Sequence, residues 1–96
     1  MYARIGSWRG TSDELGRWIE RSRTQVVPGV RREPGSTGVL LLLDRDGGQA
    51  LTITLWEDEQ AMRASEERRA ALQQGTHAVT GATVETTRYE VVDASW

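Results

Sequence analysis

Four segments of the chain cluster or alternate apolar residues as β-strands do. Residues 2–9 mix β-branched and aromatic residues with polar ones and carry no helical stripe, so they predict a first strand. The apolar run 39–43 and the alternating segment 50–56 flank an Asp-Gly-Gly turn at 46–48, which is the pattern of a β-hairpin. Residues 82–92, rich in Thr and Val, predict a last strand.

A first helix is predicted between the first strand and the hairpin. Thr11 lies three residues before Glu14, the spacing at which an N-cap hydroxyl and a carboxylate satisfy each other's free backbone N–H groups. One helical face then follows, made of Leu15, Trp18, Ile19, Ser22 and Val26. Pro28 and Gly29 are predicted to end this helix.

A second helix is predicted between the hairpin and the last strand. Asp58 can cap its start, and the helix should run to about Gln74, with Gly75 as its C-terminal stop and residues 76–81 as a loop. On a helical wheel the inward half is thin and small. It consists of Ala61, Met62, Ala64, Ser65, Arg68, Arg69, Ala71 and Leu72.

The order strand, helix, strand, strand, helix, strand predicts an α+β domain of the ferredoxin-like βαββαβ topology. In this fold a four-stranded antiparallel sheet carries two helices on one face. With 96 residues the chain allows a single domain, and we expect residues 1–92 to form its core and residues 93–96 a C-terminal tail.

The uninterrupted apolar run 39–43 predicts a partner. An antiparallel strand with one face in water should alternate, so a run without alternation indicates that both faces are covered. The helices cover only one face. We therefore expect a homodimer in which the sheet of a second copy covers the other.

Composition excludes several kinds of site and partner. The chain has no Cys, which rules out disulfides and thiolate metal sites, and the lone His77 argues against zinc. The net charge of −2, with both signs interspersed, predicts neither nucleic-acid nor membrane binding. No apolar stretch is long enough to span a bilayer, so a cytoplasmic protein is expected. No dinucleotide, phosphate-loop or acyl-transfer motif occurs, and we expect no cofactor and no metal.

Two short motifs resemble those of the antibiotic biosynthesis monooxygenase family. They are the Pro-Gly-Val step at 28–30 and the run Trp-Glu-Asp-Glu-Gln-Ala at 56–61, where a strand ends on Trp and a helix begins. The resemblance implies a dimeric α+β barrel, with a pocket in each subunit between the sheet and the helices. Enzymes of that family include cofactor-free oxygenases of phenolic polyketides and haem-degrading monooxygenases, and many of its members have no known reaction.

The haem-degrading branch of that family fits the chain poorly. The resemblance calls for an Asn on the first strand, a Trp at the position of Trp56 and an iron-ligating His on the following helix. Only the Trp is present, since the chain has no Asn and the predicted helix 58–74 has no His. Haem degradation is therefore not expected.

Three residues are candidates for catalysis. Trp56 would wall the pocket, or anchor strand to helix in the core, and the two roles can coexist. Arg68 would either point into the pocket and meet an anionic ligand or pair with a nearby Glu, and we prefer the second interpretation. His77 is the only imidazole in the chain, the side-chain type best suited to exchange protons near neutral pH, and is the natural candidate base, although its predicted loop position argues against it.

The predicted ligand pocket adds residues from the second helix and the last strand. It comprises Trp56, Met62, Ser65, Arg68, Leu72 and Tyr89. Arg4 and Arg88 are expected to be solvated or paired across strands rather than catalytic.

Three functions remain open from the sequence. The first is a cofactor-independent monooxygenase acting on a small aromatic or quinol-like, polyketide-type compound, an inference by analogy of fold. The second is a non-catalytic dimeric module that binds a hydrophobic small molecule or a protein, which the scarcity of acids and bases in the predicted pocket favours. The third is an isomerase or cyclase that uses His77 or an acidic residue to move a proton.

Overall fold

A computed structural model describes all of residues 1–96. The four strands are β1 (Tyr2–Arg9), β2 (Ser36–Asp44), β3 (Gln49–Trp56) and β4 (Thr83–Glu90). The helices are α1 (Ser12–Arg21), a π-helical segment (Ser22–Val26), α2 (Val27–Arg31), α3 (Glu59–Ala64) and α4 (Glu66–Thr80). None of these helices is both long and apolar enough to cross a membrane.

The sheet confirms the predicted ferredoxin-like α+β fold. The strands are all antiparallel and lie in the order β2-β3-β1-β4. Strand β3 is central: its residue Ile53 pairs with Ile5 of β1 on one side and with Leu40 of β2 on the other. The predicted hairpin is confirmed, because β2 and β3 are consecutive, antiparallel and joined at 45–48.

The first helix begins as predicted but continues past its predicted end. Thr11 and Glu14 form the capping box, with each side chain accepting from the other residue's backbone N–H. The prediction that Pro28 and Gly29 stop the helix is wrong, because helical backbone continues to Arg31. Pro28 falls in the first turn of α2, where its lack of a backbone N–H is tolerated. The wider π-helical turn at Ser22–Val26 precedes it and accommodates the proline.

The second helical region also departs from its predicted bounds. Asp58 caps α3 as expected, accepting from the N–H of Ala61, but the helix breaks at Ser65 and a new helix runs on to Thr80. Gly75 does not stop it, so the predicted loop at 76–81 is wrong. Gly75 instead lies beside the end of the Arg21 side chain, because a Cβ there would lie 2.9 Å from Nη2 of Arg21. The actual stop is Gly81, with a left-handed φ of 81°.

Two apolar clusters hold the helices on the sheet, one near each end of β1. The first cluster contains Trp8, Leu15, Trp18, Ala50 and Ala82. The second contains Val30, Trp56 and Met62. Between them the inward face of the sheet carries small or polar residues, and this is where a cavity can form.

The opposite face of the sheet is apolar and uncovered within one chain. Alternate residues of β2 pack toward the helices, whereas Leu40 and Leu42 are 47% and 45% exposed. In a single chain the residues of the run 39–43 therefore alternate between partly buried and exposed, so only one face of the strand is covered. The second copy that would cover the outer face stays a prediction.

Candidate functional site

A cavity of about 50 Å³ lies between the inward face of the sheet and α4, and it is partly open to solvent. Since one water molecule needs about 10–15 Å³, the cavity of the unliganded chain has room for a few water molecules. Its floor is formed by Arg4, Gly6, Trp8, Thr52, Thr54 and Trp56. Its roof is formed by Ser65, Arg68, Arg69, Leu72, Gln73 and Thr76. Val26, Val30 and Glu33 close one side.

Arg4 is a buried cation in the cavity floor. It points inward from β1, and only 4% of the residue is exposed. Its Nη2 donates to the carbonyl oxygen of Met62 and to Oγ of Ser65, both at 2.7 Å, and lies 3.2 Å from Glu66. Burial lowers the pKa of the Arg4 guanidinium, and the charge of Glu66 opposes that effect. The break between α3 and α4 at Ser65 is what presents these acceptors to Arg4.

Glu66 is shared by three arginines. Besides Arg4, it accepts two hydrogen bonds from Arg88 at 2.7 Å and one from Arg69 at 2.9 Å. The hydrogen bonds from Arg88, with the charges of Arg4 and Arg69, lower the pKa of Glu66 to about 2 against partial desolvation. The carboxylate therefore stays ionised and fixes the position of Arg4.

Trp56 belongs to the core and to the cavity wall at once. The residue is fully buried against Val30 and Met62, and its ring lies under the Arg4 guanidinium at 5.2 Å from the ring centroid. Its Nε1 donates to Oγ1 of Thr54 at 2.9 Å. Both roles considered for Trp56 from the sequence therefore hold in the structure.

Arg68 lies at the mouth of the cavity and is paired. It is the exposed member of the lining, and it forms a two-pronged ion pair with Glu33, which follows α2. The preferred interpretation, pairing with a Glu, is confirmed. The hydrogen bond from Arg68 also lowers the pKa of Glu33, so this carboxylate is a weak base.

The other predicted site residues divide between the cavity and its surroundings. Ser65 and Leu72 line the cavity with Trp56 and Arg68. Met62 is buried behind Trp56 in the second apolar cluster and does not line the cavity. Tyr89 is 55% exposed, pairs with Ala3 and lies on the outer face of the sheet, so its predicted place in the pocket is wrong.

His77 lies away from the cavity and not in a loop. It is in the last turn of α4, exposed, with Nδ1 at 2.8 Å from the carbonyl oxygen of Ala82. It does not line the cavity, so the structure does not bring it together with Trp56 and Arg68.

Several cavity residues were missed from the sequence. Arg4 was expected in solvent or a surface pair, and Trp8, Thr52, Thr54, Gln73 and Thr76 were not assigned to the pocket. The sequence of β1 did contain a signal for the cavity. Arg4, Gly6 and Trp8 are alternate residues of this strand, so they share the face of the sheet on which Trp56 is buried. A charged residue and a glycine at inward positions of a central strand indicate a cavity rather than a filled core.

The residues present do not fit a haem-degrading site. One reason for that expectation was wrong, because the helix does reach His77. The ring nevertheless faces the backbone at the end of α4, outside the cavity. No group of three or more His, Cys, Asp or Glu side chains is placed to hold a metal ion.

Sequence comparison matches residues 1–74 to the model of a family described as antibiotic biosynthesis monooxygenase. The chain is also 34% identical over 68 residues to the uncharacterized protein Rv2557 of Mycobacterium tuberculosis. A second uncharacterized protein of that organism, Rv2558, is 35% identical over 72 residues. These matches cover 71% and 75% of this chain but only 30% of each relative.

Solved structures share the fold across nearly the whole chain. The monooxygenase ActVA-Orf6 of Streptomyces coelicolor, in complex with nanaomycin D, superposes with a TM-score of 0.79 at 17% identity, covering 99% of this chain and 90% of that one. SnoaB, a cofactor-independent oxygenase from Streptomyces nogalater, gives 0.70 at 18%, covering 97% and 94%. The haem degrader MhuD of Mycobacterium tuberculosis gives 0.77 at 22% over the full length of both chains.

Proposed function

Because the chain belongs to the antibiotic biosynthesis monooxygenase family, we propose that it is a cofactor-independent monooxygenase of a small aromatic, phenol- or quinol-type substrate. The observation that carries this proposal is the Arg4 guanidinium, a cation buried in the floor of the cavity. The other charged residues of the lining, Arg68, Glu33 and Arg69, are held in ion pairs: Arg68 with Glu33, and Arg69 with Glu66. A buried cation beside an aromatic wall stabilises a phenolate more strongly than the neutral phenol.

Such an anion can supply the electrons for oxygenation itself. A phenolate passes one electron to dioxygen, and the resulting radical pair combines to form a carbon–oxygen bond para to the first oxygen. The peroxide takes a proton from solvent, and loss of the proton from that carbon then breaks the O–O bond and expels hydroxide, which combines with the released proton to form water. The balanced outcome converts one phenol and one dioxygen into one para-quinone and one water. The protein's part is to hold the ring, lower the phenol's pKa and exclude bulk water.

The substrate proton leaves through the mouth of the cavity. The lining contains no His, Tyr, Cys or Lys, and its one carboxylate, Glu33, is held as a weak base by Arg68. Solvent reached past Arg68 therefore takes the proton, and the pKa of the bound phenol sets the pH dependence. The rate should rise with pH and level off below pH 10, the ordinary pKa of a phenol being about 10.

Oxygen uptake tests the proposal. Purified protein with 1-naphthol should consume dioxygen and form 1,4-naphthoquinone at a rate that survives metal chelation. Replacing Arg4 with Gln should lower that rate at least tenfold, whereas His77→Ala should leave it unchanged because His77 lies outside the cavity. No uptake above buffer with a panel of phenols, anthrones and hydroquinones would overturn the monooxygenase assignment.

A binding module without catalysis is the second candidate. The absence of a free acid or base from the lining favours it, since a module of this kind needs only the apolar wall and the buried cation. It predicts ligand binding with no oxygen uptake. The isomerase hypothesis is weaker, because His77 lies outside the cavity and the one acidic residue of the lining, Glu33, is held as a weak base by Arg68.

We also propose that the functional unit is a homodimer formed through the outer face of the sheet. Leu40 and Leu42 lie on that face beside Leu51, Ile53 and Leu55 of the neighbouring strand, and together they make an apolar strip across β2 and β3. A cytoplasmic location and the lack of nucleic-acid and membrane partners stay predictions from composition.

A further inference from the structure

We infer that the ion pair between Arg68 and Glu33 is a gate, which closes the mouth of the cavity and must break before a ring-sized molecule can enter. Arg68 extends from α4, and Glu33 lies in the short turn between α2 and β2. Such a gate controls access to the cavity whatever the chemistry of the ligand. It therefore stands or falls independently of the proposed oxygenation.

The closed cavity is too small for an aromatic ring. Its volume is about 50 Å³, whereas a cavity of about 150 Å³ is the size that takes up benzene in a protein interior. Its floor has no spare depth either, since a Cβ built on Gly6 would lie 3.2 Å from Nε1 of Trp8 and 3.5 Å from Cγ2 of Val84. Any ring-sized ligand therefore requires the walls of the cavity to part.

Along its β4 side, α4 is fastened to the sheet at two places. Glu66, at the start of the helix, accepts hydrogen bonds from Arg88 at 2.7 Å. Two turns further on, Nε2 of Gln73 donates to Oγ1 of Thr86 at 3.0 Å. Arg88 and Thr86 both belong to β4, so an opening on this side would have to break two separate contacts between helix and sheet.

On its other side, α4 faces the segment 27–35. Leu72 lies against the backbone of Gly29, where an added Cβ would be 3.6 Å from Cδ1 of Leu72. One turn earlier, Nε and Nη2 of Arg68 donate to the two carboxylate oxygens of Glu33, with Nη2 2.6 Å from Oε2. These are the side-chain hydrogen bonds that join α4 to this segment. Arg68 and Glu33 also line the cavity, so breaking the pair opens the cavity between them.

The pair is exposed enough to open readily. The Arg68 side chain is 58% exposed and that of Glu33 is 15% exposed. An exposed arginine exchanges its carboxylate for water at little net cost, and exposed side chains change rotamer within nanoseconds. Arg4, in the floor of the same cavity, is by contrast buried and held by α3 and α4. Arg68 is therefore a movable charge at the mouth, whereas Arg4 is fixed.

An introduced thiol measures access to the cavity without any substrate. The chain contains no Cys, so Thr52→Cys provides a single reactive group, in the floor and close to threonine in size. The reagent is 4,4′-dithiodipyridine, which is neutral, carries two rings and releases an absorbing product on reaction with a thiol. The reaction should be at least about tenfold slower than in Val79→Cys, at an exposed position outside the cavity. Equal rates at the two positions would overturn the gate.

Two further changes, each combined with Thr52→Cys, show where the cavity opens. Glu33→Gln breaks the ion pair with little change of shape and should speed the reaction about threefold to fivefold, as expected for the loss of a well-formed surface pair. Thr86→Val is the matched control, because it breaks the contact with Gln73 on the β4 side, and it should change the rate by less than about twofold. An unchanged rate in Glu33→Gln, or an equal acceleration in Thr86→Val, would overturn the gate.

High salt provides a second test of the same ion pair. At about 1 M sodium chloride the Debye length is about 3 Å, so the exposed pair is weakened. The reaction of Thr52→Cys should then speed up, while that of the double variant with Glu33→Gln should stay the same. Val79→Cys corrects for any effect of salt on the reagent. Equal salt effects on the two cavity thiols would contradict a gate made by this ion pair.

Amide hydrogen exchange replaces the thiol reaction if Thr52→Cys does not fold, which unfolding curves establish. The backbone N–H groups of Glu33 and Ser36 hold the turn through hydrogen bonds to the carbonyl oxygens of Val30 and Glu33. Their exchange should be about threefold faster in Glu33→Gln than in the unmodified chain, because the turn is no longer tied to α4. Equal exchange in the two proteins would overturn the gate.

The gate and the proposed function can fail separately, because no substrate takes part in these measurements. A faster thiol reaction in Glu33→Gln would support the gate even if the protein consumes no oxygen. Oxygen uptake together with an unchanged thiol reaction would support the proposed function and overturn the gate alone.

Discussion

The guanidinium of Arg4 lies over the ring of Trp56, 5.2 Å from its centroid, with both residues almost wholly buried. A desolvated cation–π contact of this kind contributes about 2 kcal/mol. The contact connects Arg4, the buried charge in the cavity floor, with Trp56, the aromatic residue that lines the cavity beside it. The same guanidinium is fixed by Met62 of α3, by Ser65 at the break between the helices and by Glu66 of α4. The charge is therefore preorganised before any ligand arrives.

Replacing Arg4 with Met should lower the free energy of unfolding by about 2–3 kcal/mol. The substitution removes two buried hydrogen bonds, one ion pair and the contact with Trp56. Urea denaturation measures the change. Arg88→Met is the matched control, since Arg88 also binds Glu66 but is much more exposed, and it should cost less than about 1 kcal/mol. Equal losses in the two variants would contradict the distinction between buried and exposed pairs.

The stability of the protein should fall between pH 4.5 and pH 2 because of Glu66. Its pKa is lowered from 4.5 to about 2 in the folded chain, so its stabilising contribution is complete above the unfolded pKa and is lost as pH falls through the folded one. The urea midpoint measured at intervals across this range should decrease. In Glu66→Gln the decrease should be shallower, and an identical pH profile for the variant would show that other carboxylates are responsible.

His77→Ala should leave ligand binding and any oxygen uptake within about twofold of the unmodified protein. The ring lies outside the cavity and makes one hydrogen bond, to the carbonyl oxygen of Ala82. Loss of that bond should cost about 0.5–1.5 kcal/mol of stability, measurable by thermal unfolding. A tenfold loss of activity in a folded variant would restore His77 as a catalytic candidate.

Gly6→Ala should weaken binding of every cavity ligand. The added methyl would stand 3.2 Å from Nε1 of Trp8 and 3.6 Å from Nε2 of Gln73, so these two cavity-lining side chains must shift to make room for it. Gly16→Ala is the control, because a Cβ there meets nothing within 4 Å. In the interior of α1 that change should stabilise the protein by about 1 kcal/mol. Calorimetric titration with 1,4-naphthoquinone measures binding, and unchanged affinity in Gly6→Ala would place the ligand elsewhere.

Leu40→Glu should convert a dimer into a monomer. The side chain is 47% exposed in one chain and lies on the outer face of the sheet, so a charge there would be buried without a partner in a sheet-to-sheet dimer. Sedimentation equilibrium at micromolar concentration measures the mass. Val92→Glu, a change at a position that is 90% exposed and outside the sheet, should leave the mass unchanged. A monomer for the unmodified chain would exclude the proposed dimer.

Local sequence patterns predicted the elements well but their ends poorly. The capping box at Thr11 and the hairpin turn depend on residues within a few positions of one another, and both were confirmed. Pro28 and Gly75 looked like stops because they interrupt helices in isolation. In the folded chain Pro28 falls in a first turn, and the missing side chain of Gly75 makes room for Arg21. The position within the helix decided the first outcome, and a contact with a distant segment accompanies the second.

The candidate site was only partly visible in the sequence for a related reason. Trp56, Ser65, Arg68 and Leu72 were assigned from a short motif and one helical face. The pairing of Arg68 with Glu33 joins residues 35 positions apart, and no local pattern encodes it. Arg4 was expected near water, because a charged side chain is almost never buried unless partners are provided for it. Its partners come from the break between α3 and α4, some 60 residues along the chain.

The sequence by itself determined the order of strands and helices, and with it the ferredoxin-like sheet, because periodicity and turn chemistry act over a few residues. The tertiary structure alone decided which side chains are buried together: Arg4 lies on Trp56, and Glu66 lies among three arginines. Burying a charge or a donor depends on partners brought from distant segments, and only the folded chain brings them together.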